Sequence, residues 1–149
     1  MATIKGRIKA ISVSTQKGTR KTNTPSARMQ VDHGIVGDAH AGNWHRQVSL
    51  LGIESIEDMV AKGASVSPGD FAENITTEGI DLNLLKTGDK MILGGGIELE
   101  ITQIGKRCHR RCEIFEQLGD CVMPHEGAFA KVIKGGTINT GDEIVVIYD

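Results

Sequence analysis

Short segments in which apolar and polar residues alternate, separated by glycine turns, constrain the fold of this chain more than any other feature. Over residues 3–14, isoleucines and small residues alternate with lysine and arginine, and a similar alternation returns over residues 97–104. A period of two places one set of side chains on each face of a β-strand. The 19 glycines among 149 residues supply the tight turns that such strands need. The chain is therefore predicted to be mostly β.

The same criteria predict about seven or more short strands and a few short helices. The strands are expected at residues 3–14, 27–31, 47–51, 90–93, 97–104, 128–133 and 143–148. Apolar residues at helical spacing predict a helix over residues 53–62, ended by Gly63, and a second short helix is expected near residues 110–118. Residues 15–27 and 67–79 are polar and contain glycine and proline, which is typical of loops. This pattern favours a closed or nearly closed β-barrel.

The composition indicates one globular domain over residues 1–149, without an internal repeat or a linker. The formal net charge of −2 gives no basic excess of the kind that nucleic-acid binding requires. No apolar run approaches the ~20 residues that cross a bilayer, and the first residues contain no apolar stretch of signal-peptide length. We therefore expect a cytoplasmic protein that binds neither nucleic acid nor a membrane.

The strongest chemical signal is a group of cysteines in a basic segment: Cys108, Cys112 and Cys121. Three cysteines in a reducing compartment do not favour a disulfide framework. Arg107, Arg110 and Arg111 surround Cys108, and cations of this kind stabilise a thiolate and also bind phosphate. The segment predicts a reactive or metal-ligating cysteine beside an anion-binding patch. A solvated basic turn next to structural cysteines is the alternative interpretation.

Zinc is a further alternative for this segment, because His109 and His125 lie near the cysteines. Structural zinc sites usually contain two close ligand pairs, often spaced C-x2-C. Here Cys108 and Cys112 are spaced C-x3-C, and the surrounding lysine and arginine side chains would repel a dication. A zinc site is therefore disfavoured.

Two further polar motifs are candidates for a binding pocket. The first contains Asp38, His40 and Arg46, and the second contains Asp70, Glu73 and Asn74, followed by Thr76 and Thr77. Glycines beside the first motif would let the backbone approach a ligand closely. Turn and cap formation explains such residues equally well when each motif is taken alone. The loop at residues 15–27 carries Lys17, Arg20 and Lys21 and is expected to be solvated, with a lid over an anionic ligand as the alternative.

Taken in order, these motifs resemble those of the MOSC family, which is named for the C-terminal domain of molybdenum cofactor sulfurases. The matching segments are GIVGDAHAG, RQVSLL, PGDFAENITTEGI with DLNLLKTGDKMIL, ITQIGKRCHRRC, and GDC with the ending FAKVIKGGTINTGDEI. They extend from about Gly34 to the C-terminal strand. A single segment of this kind would be a weak match, whereas five in family order are specific.

The resemblance implies a single MOSC β-barrel domain of the standalone bacterial type that binds molybdenum cofactor (molybdopterin). It places the functional cysteine, as a thiolate ligand of molybdenum or a sulfur carrier, at Cys108, with Cys112 as the rival and Cys121 as a second, more variable cysteine. The cofactor-binding residues implied are Asp38, His40, Arg46, Asp70, Glu73, Asn74, Arg107, Arg110, Arg111 and Cys121. The chain has no aminotransferase-like domain with pyridoxal phosphate, so sulfur or cofactor would come from a partner. The partners implied are cofactor-biosynthesis, sulfur-donor or electron-donor proteins.

Three hypotheses for the function remain open at this stage. The first and favoured one is binding or delivery of molybdenum cofactor, which would support reduction of N-hydroxylated compounds. The second is a sulfur carrier that holds a persulfide on the same cysteine and passes its sulfur to the cofactor. The third is a non-catalytic binding module in which the cysteines serve only for packing. The residues do not decide between a molybdenum cofactor-dependent reductase and a sulfurtransferase-like protein.

Overall fold

The computed structural model describes residues 2–17, 19–105 and 127–148. In this part of the chain, the strands are β1 Ala2–Val13, β2 Thr22–Thr24, β3 Ser26–Gln30, β4 Gly34–Ile35, β5 Val48–Gly52, β6 Ile75–Glu78, β7 Lys90–Leu93, β8 Ile97–Ile104, β9 Ala128–Lys134, β10 Gly136–Asn139 and β11 Glu143–Tyr148. Helix α1 covers Ile53–Ala61, and a short 3-10 turn covers Leu82–Leu84.

Seven of these strands form a closed β-barrel. Their order around the barrel is β11-β7-β8-β9-β5-β6-β1, and β1 closes the ring by pairing with β11. The length of β1 makes this closure possible, because its first half pairs with β11 and its second half pairs with β6. Closure removes the two unpaired edges that an open sheet would leave. The predicted mostly β barrel is confirmed.

The parallel pair β5–β6 is connected through α1. Parallel neighbours cannot be joined by a tight hairpin, so the chain leaves β5, forms α1, crosses the outside of the barrel and returns to β6. A second apolar cluster lies under this connection and includes Leu51, Ile56, Phe71 and Phe129. The connection therefore fixes the segment 67–74 against the barrel wall.

The main core is built from aliphatic side chains, as the low aromatic content of 3% requires. It combines alternate residues of the barrel strands, among them Leu50, Leu99 and Val146, all fully buried. The small antiparallel sheet β10-β3-β4 packs onto the same core through Met29 and Ile138. It thereby positions the loop that follows β4.

The structure confirms most predicted elements and corrects several segments. The strands expected at 3–14, 90–93, 97–104 and 143–148 and the helix at 53–62 agree within one residue. The predicted loops, however, contain β2 and β6, and β4 and β10 were not expected. Threonine and asparagine predominate in β2, β6 and β10, so these strands have no apolar alternation, and neighbouring strands supply their pairing. The helix predicted near 110–118 lies outside the described residues.

Candidate functional site

A buried ion pair anchors the loop between β4 and β5, which carries the first candidate motif. Asp38 Oδ1 lies 2.9 Å from Lys21 Nζ, and both side chains are fully buried. The same carboxylate oxygen accepts the backbone N–H of Ser14 at 3.0 Å. Lys21 Nζ also donates to Ser14 Oγ at 3.1 Å. One carboxylate therefore joins the residue after β1, the residue before β2 and the loop after β4.

Opposing effects set the pKa of Asp38. Burial raises the pKa, whereas hydrogen bonding from His40 and Lys21, the charge of Lys21 and the backbone N–H of Ser14 lower it. The polar contacts outweigh burial, and the pKa of Asp38 lies well below its ordinary value. Asp38 is ionised at neutral pH and Lys21 balances its charge, so this motif does not repel an anionic ligand.

The loop after Asp38 folds back on itself through His40 and Trp44. The backbone N–H of His40 donates to Asp38 Oδ2 at 2.9 Å, and the ring Nδ1 of His40 lies 3.7 Å from the same oxygen. The indole N–H of Trp44 donates to the carbonyl of His40 at 2.7 Å. The Nζ atom of Lys17 lies 4.6 Å from the centre of a Trp44 ring, a cation–π contact. This contact joins the loop of His40 and Trp44 to Lys17, which lies between β1 and β2.

A second contact connects the same loop to β8 and β9, and we call its three residues, Arg46, Gln103 and Phe129, the Arg46 clasp. Arg46 Nε donates to Gln103 Oε1 at 3.1 Å. The guanidinium carbon of Arg46 lies 5.2 Å from the ring centre of Phe129. Gln103 and Phe129 are register partners on β8 and β9. The clasp therefore places a half-buried cation beside two paired strands.

The Arg46 clasp lies next to the residues that flank the cysteine segment. Gln103 Nε2 donates to the carbonyl of Gly105 at 2.9 Å, and the N–H of Gly105 donates to the carbonyl of Gly127 at 2.7 Å. Positions 106–126, with Cys108, Cys112, Cys121, Arg107, Arg110 and Arg111, lie outside the described residues. The roles predicted for these six side chains stay predictions.

The side chains of the second polar motif, which contains Asp70, Glu73 and Asn74, form hydrogen bonds within the protein. The carboxylate of Glu73 accepts the N–H groups of Gly69 and Phe71 and the hydroxyl of Thr76. Burial raises the pKa of Glu73, while these hydrogen bonds lower it less strongly. The motif therefore holds the 69–73 turn in place, and cofactor contact by Glu73 stays a prediction.

Neighbouring residues of the motif also bond the protein itself. The side chain of Asn74 accepts the N–H of Ser49 and donates to the carbonyl of Ser12. Asp70 Oδ2 accepts the N–H of Ser67 at 3.0 Å. Asn74 thereby ties the start of β6 to β1 and β5, and cofactor contact by Asn74 or Asp70 likewise stays a prediction.

The structure brings together residues that the sequence left separate. Lys21 was expected in a solvated loop, but it is buried against Asp38 because it directly precedes β2, which pairs with β1. Gln103 and His45 were not singled out, although His45 Nε2 lies 3.0 Å from Gln103 Oε1 and the hydroxyl of Thr102 donates to the carbonyl of His45. The local pattern around Gln103 is only that of a strand.

A separate cleft of about 350 Å3 lies between α1 and the 3-10 turn. Glu54, Asp58 and Asp81 are among its lining residues, and no predicted site residue lines it. Within residues 2–17, 19–105 and 127–148, no group of three or more histidine, cysteine or acidic side chains is arranged to hold a metal ion. No helix in that part of the chain is long and apolar enough to cross a membrane.

Fold and site together define a small closed-barrel domain, in which a charged loop lies beside Gly105 and Gly127, the residues on either side of the cysteine-bearing segment. The family model of the MOSC domain matches residues 37–145, and the chain belongs to this family, which is associated with molybdenum cofactor binding. The match includes the loop of Asp38, the Arg46 clasp and the cysteine segment. No curated protein matches the chain.

Solved structures agree with the barrel fold. The YuaD protein from Bacillus subtilis is similar, with a TM-score of 0.82 and 21% identity, over 99% of each chain. YiiM from Escherichia coli has a TM-score of 0.67 and 15% identity, over 96% of this chain and 70% of YiiM. YiiM from Geobacillus stearothermophilus has a TM-score of 0.68 and 18% identity, over 95% and 75% of the two chains. At these identities the likeness concerns the fold alone.

Proposed function

We propose that this chain binds molybdenum cofactor, with a cysteine thiolate as a ligand of the metal and basic side chains as contacts for the anionic part of the cofactor. The observation that carries the proposal is the Arg46 clasp. Through Gln103 and Phe129, the clasp fastens the predicted 38–46 motif beside the flanks of the segment that holds the cysteines. The 38–46 motif, which could be turn chemistry when taken alone, therefore lies beside Gly105 and Gly127, the residues on either side of the cysteine segment.

The chemistry of the described residues fits an anionic cofactor. Arg46 presents a guanidinium, which suits phosphate geometry, and Lys21 balances the nearby carboxylate of Asp38. Cys108, or its rival Cys112, would supply the soft thiolate that a sulfur-ligated metal accepts. When bound, the cofactor supplies a metal centre for atom and electron transfer. The chain's own residues hold and orient it.

This proposal implies a protein partner. The barrel would obtain the cofactor or its sulfur from a cofactor-biosynthesis or sulfur-donor protein, and a reductase activity on N-hydroxylated compounds would need an electron-donor protein. We propose that this chain receives the cofactor from such a partner and then delivers or uses it.

The test is to measure molybdenum and pterin per chain after expression in a host that makes molybdenum cofactor. Cys108→Ser, Cys112→Ser and Cys121→Ser are purified in parallel, so that each variant is the matched control for the other two. We expect near-stoichiometric molybdenum in the parent chain and its loss in Cys108→Ser, because a thiolate ligand cannot be replaced by a hydroxyl of low acidity.

Absence of molybdenum and pterin in every sample, even after addition of free cofactor, would contradict the proposal. Mass spectrometry of the same samples then tests the sulfur-carrier hypothesis. One additional sulfur atom, found on the parent and lost in a single cysteine variant, would favour a persulfide. Loss of molybdenum in Cys112→Ser alone would keep the proposed function but assign the ligand to Cys112.

A further inference from the structure

Gln103 connects three groups through one carboxamide. Its Oε1 atom accepts Arg46 Nε at 3.1 Å and lies 3.0 Å from His45 Nε2, and its Nε2 atom donates to the carbonyl of Gly105 at 2.9 Å. The guanidinium can only donate and the carbonyl can only accept, so the orientation of the amide is fixed. His45 then carries a hydrogen on Nε2, because this nitrogen faces Gln103 Oε1, which can only accept a hydrogen bond.

Phe129 restricts the motion of the Arg46 guanidinium from a second direction. The phenyl ring is buried in the cluster under α1, and the guanidinium carbon lies 5.2 Å from its centre. A long side chain that touches a rigid ring and also donates to a fixed oxygen loses most of its freedom before any ligand arrives. Binding then costs less side-chain entropy.

The two terminal nitrogens of Arg46 are the donors that remain. Neither hydrogen-bonds to any of the described residues, and no carboxylate there forms an ion pair with Arg46. These nitrogens form a donor fork that matches two oxygens of a tetrahedral anion. Arg46 is half-buried, which strengthens such a contact relative to an exposed arginine.

We propose that Gln103 is a positioning residue that holds Arg46 so that its terminal nitrogens bind a phosphate monoester or a similar tetrahedral oxyanion beside the flanks of the cysteine segment. This inference deepens the proposed function, on which its biological meaning rests. It names the oxyanion as the part of the ligand that the Arg46 clasp recognises, and it assigns a role to a residue outside the predicted site.

The test titrates the full chain with inorganic sulfate at constant ionic strength and follows the fluorescence of Trp44, the single tryptophan, whose ring lies 5.7 Å from that of His45. We expect saturable binding that weakens by about tenfold in Arg46→Lys, because a charged hydrogen-bond fork is lost. Gln103→Leu should weaken binding by about threefold or more, since Arg46 keeps its charge but loses its support. The matched control Arg28→Lys, an exposed arginine on β3, should bind within about twofold of the parent chain.

Gln103→Glu separates positioning from structural support. The introduced carboxylate pairs with Arg46 at neutral pH, and sulfate binding should weaken by about tenfold or more. Lowering the pH protonates this carboxylate, whereas sulfate keeps its charge over the range in which a glutamate titrates, so affinity should recover. A purely structural role would produce no pH-dependent recovery. Circular dichroism of each variant verifies that the barrel is folded.

Several outcomes would overturn the inference. These are no saturable binding of sulfate by the parent chain, unchanged affinity in both Gln103 variants, or an equal loss in Arg28→Lys. Molybdenum content is measured separately from sulfate affinity. Sulfate binding that depends on Gln103 in a chain without molybdenum would therefore contradict the proposed function while supporting the role of Gln103.

Discussion

At the scale of single residues, the buried pair Asp38–Lys21 determines how the candidate loop is held. The Asp38 carboxylate accepts hydrogen bonds from the backbone of Ser14 and His40 as well as from Lys21. Removing one partner of a buried ion pair leaves the other charge in a poorly solvating environment. The pair therefore links the geometry of the loop to the stability of the whole protein.

We predict that Asp38→Asn lowers the free energy of unfolding at pH 7 by about 3–5 kcal/mol, because it removes the buried carboxylate beside Lys21. Urea denaturation followed by circular dichroism measures the change. Glu100→Gln is the matched control, since Glu100 pairs with Lys90 and Lys131 near the surface. That control should cost less than about 1 kcal/mol. Equal losses in the two variants would contradict the assignment.

The same pair predicts a dependence on pH. The pKa of Asp38 is lower in the folded protein than in the unfolded chain, so the folded state binds fewer protons, and the contribution of Asp38 decreases as the pH falls. The loss begins near the ordinary aspartate pKa of about 4 and continues below it. The stability difference between the parent and Asp38→Asn should therefore be smaller at pH 3 than at pH 7. A constant difference in urea denaturation would show that the pKa of Asp38 is not lowered.

At the scale of elements, the turn before β6 contacts Lys21, the residue before β2, through the backbone of Gly69. Gly69 has a φ of +95°, and a Cβ atom there would lie 2.5 Å from the carbonyl oxygen of Lys21. The carbonyl of Gly69 also accepts the N–H of Lys21 at 2.8 Å. The close approach of these two backbones requires glycine, and it sets the position of the lysine that binds Asp38.

Gly69→Ala should therefore destabilise the protein more than an alanine that meets only the unfavourable φ. Gly141 has the same φ of +95°, and a Cβ atom at that position would have no neighbouring atom within 4 Å. Gly141→Ala therefore isolates the conformational cost of an L-residue at positive φ, about 1–2 kcal/mol. We expect Gly69→Ala to cost about 1–3 kcal/mol beyond that control, as overpacking does. Thermal and urea denaturation measure both, and equal costs would refute the close approach.

Elements and site differ in how far the sequence predicts them. The bounds of the strands with alternating apolar residues were predicted within one residue, because the alternation itself shows which face of each strand is buried. The strand β6, with the sequence ITTE, was predicted as loop, since its threonines are buried by neighbours distant in the chain. The same limit applies to the site. Asp38 and Arg46 stand in recognisable motifs, whereas the contact between Arg46 and Gln103 spans 57 positions and leaves no local pattern.

At the scale of the whole molecule, barrel closure couples distant parts of the chain. The pairing of β1 with β11 joins residues near the two ends of the sequence, and the N–H of Ser14, the residue after β1, donates to Asp38. Disrupting the closure would leave both β1 and β11 with an unpaired edge. The loop with the candidate residues is thus hydrogen-bonded to the residue that follows β1, the strand that closes the barrel. We therefore expect the loop and the barrel to unfold together.

Trp44 makes this coupling measurable, because it is the single tryptophan and lies in the loop, bonded to the carbonyl of His40. In urea, its fluorescence should change at the same midpoint as the far-ultraviolet circular dichroism of the barrel, as a two-state transition requires. Asp38→Asn should lower both midpoints together, since Asp38 joins the loop to Lys21, the residue before β2, and to Ser14, the residue after β1. If the fluorescence midpoint fell below that of the barrel, the loop would be a separate, weaker unit. Coincident midpoints would mean that the stability of the barrel also maintains the geometry that presents Arg46 to a ligand.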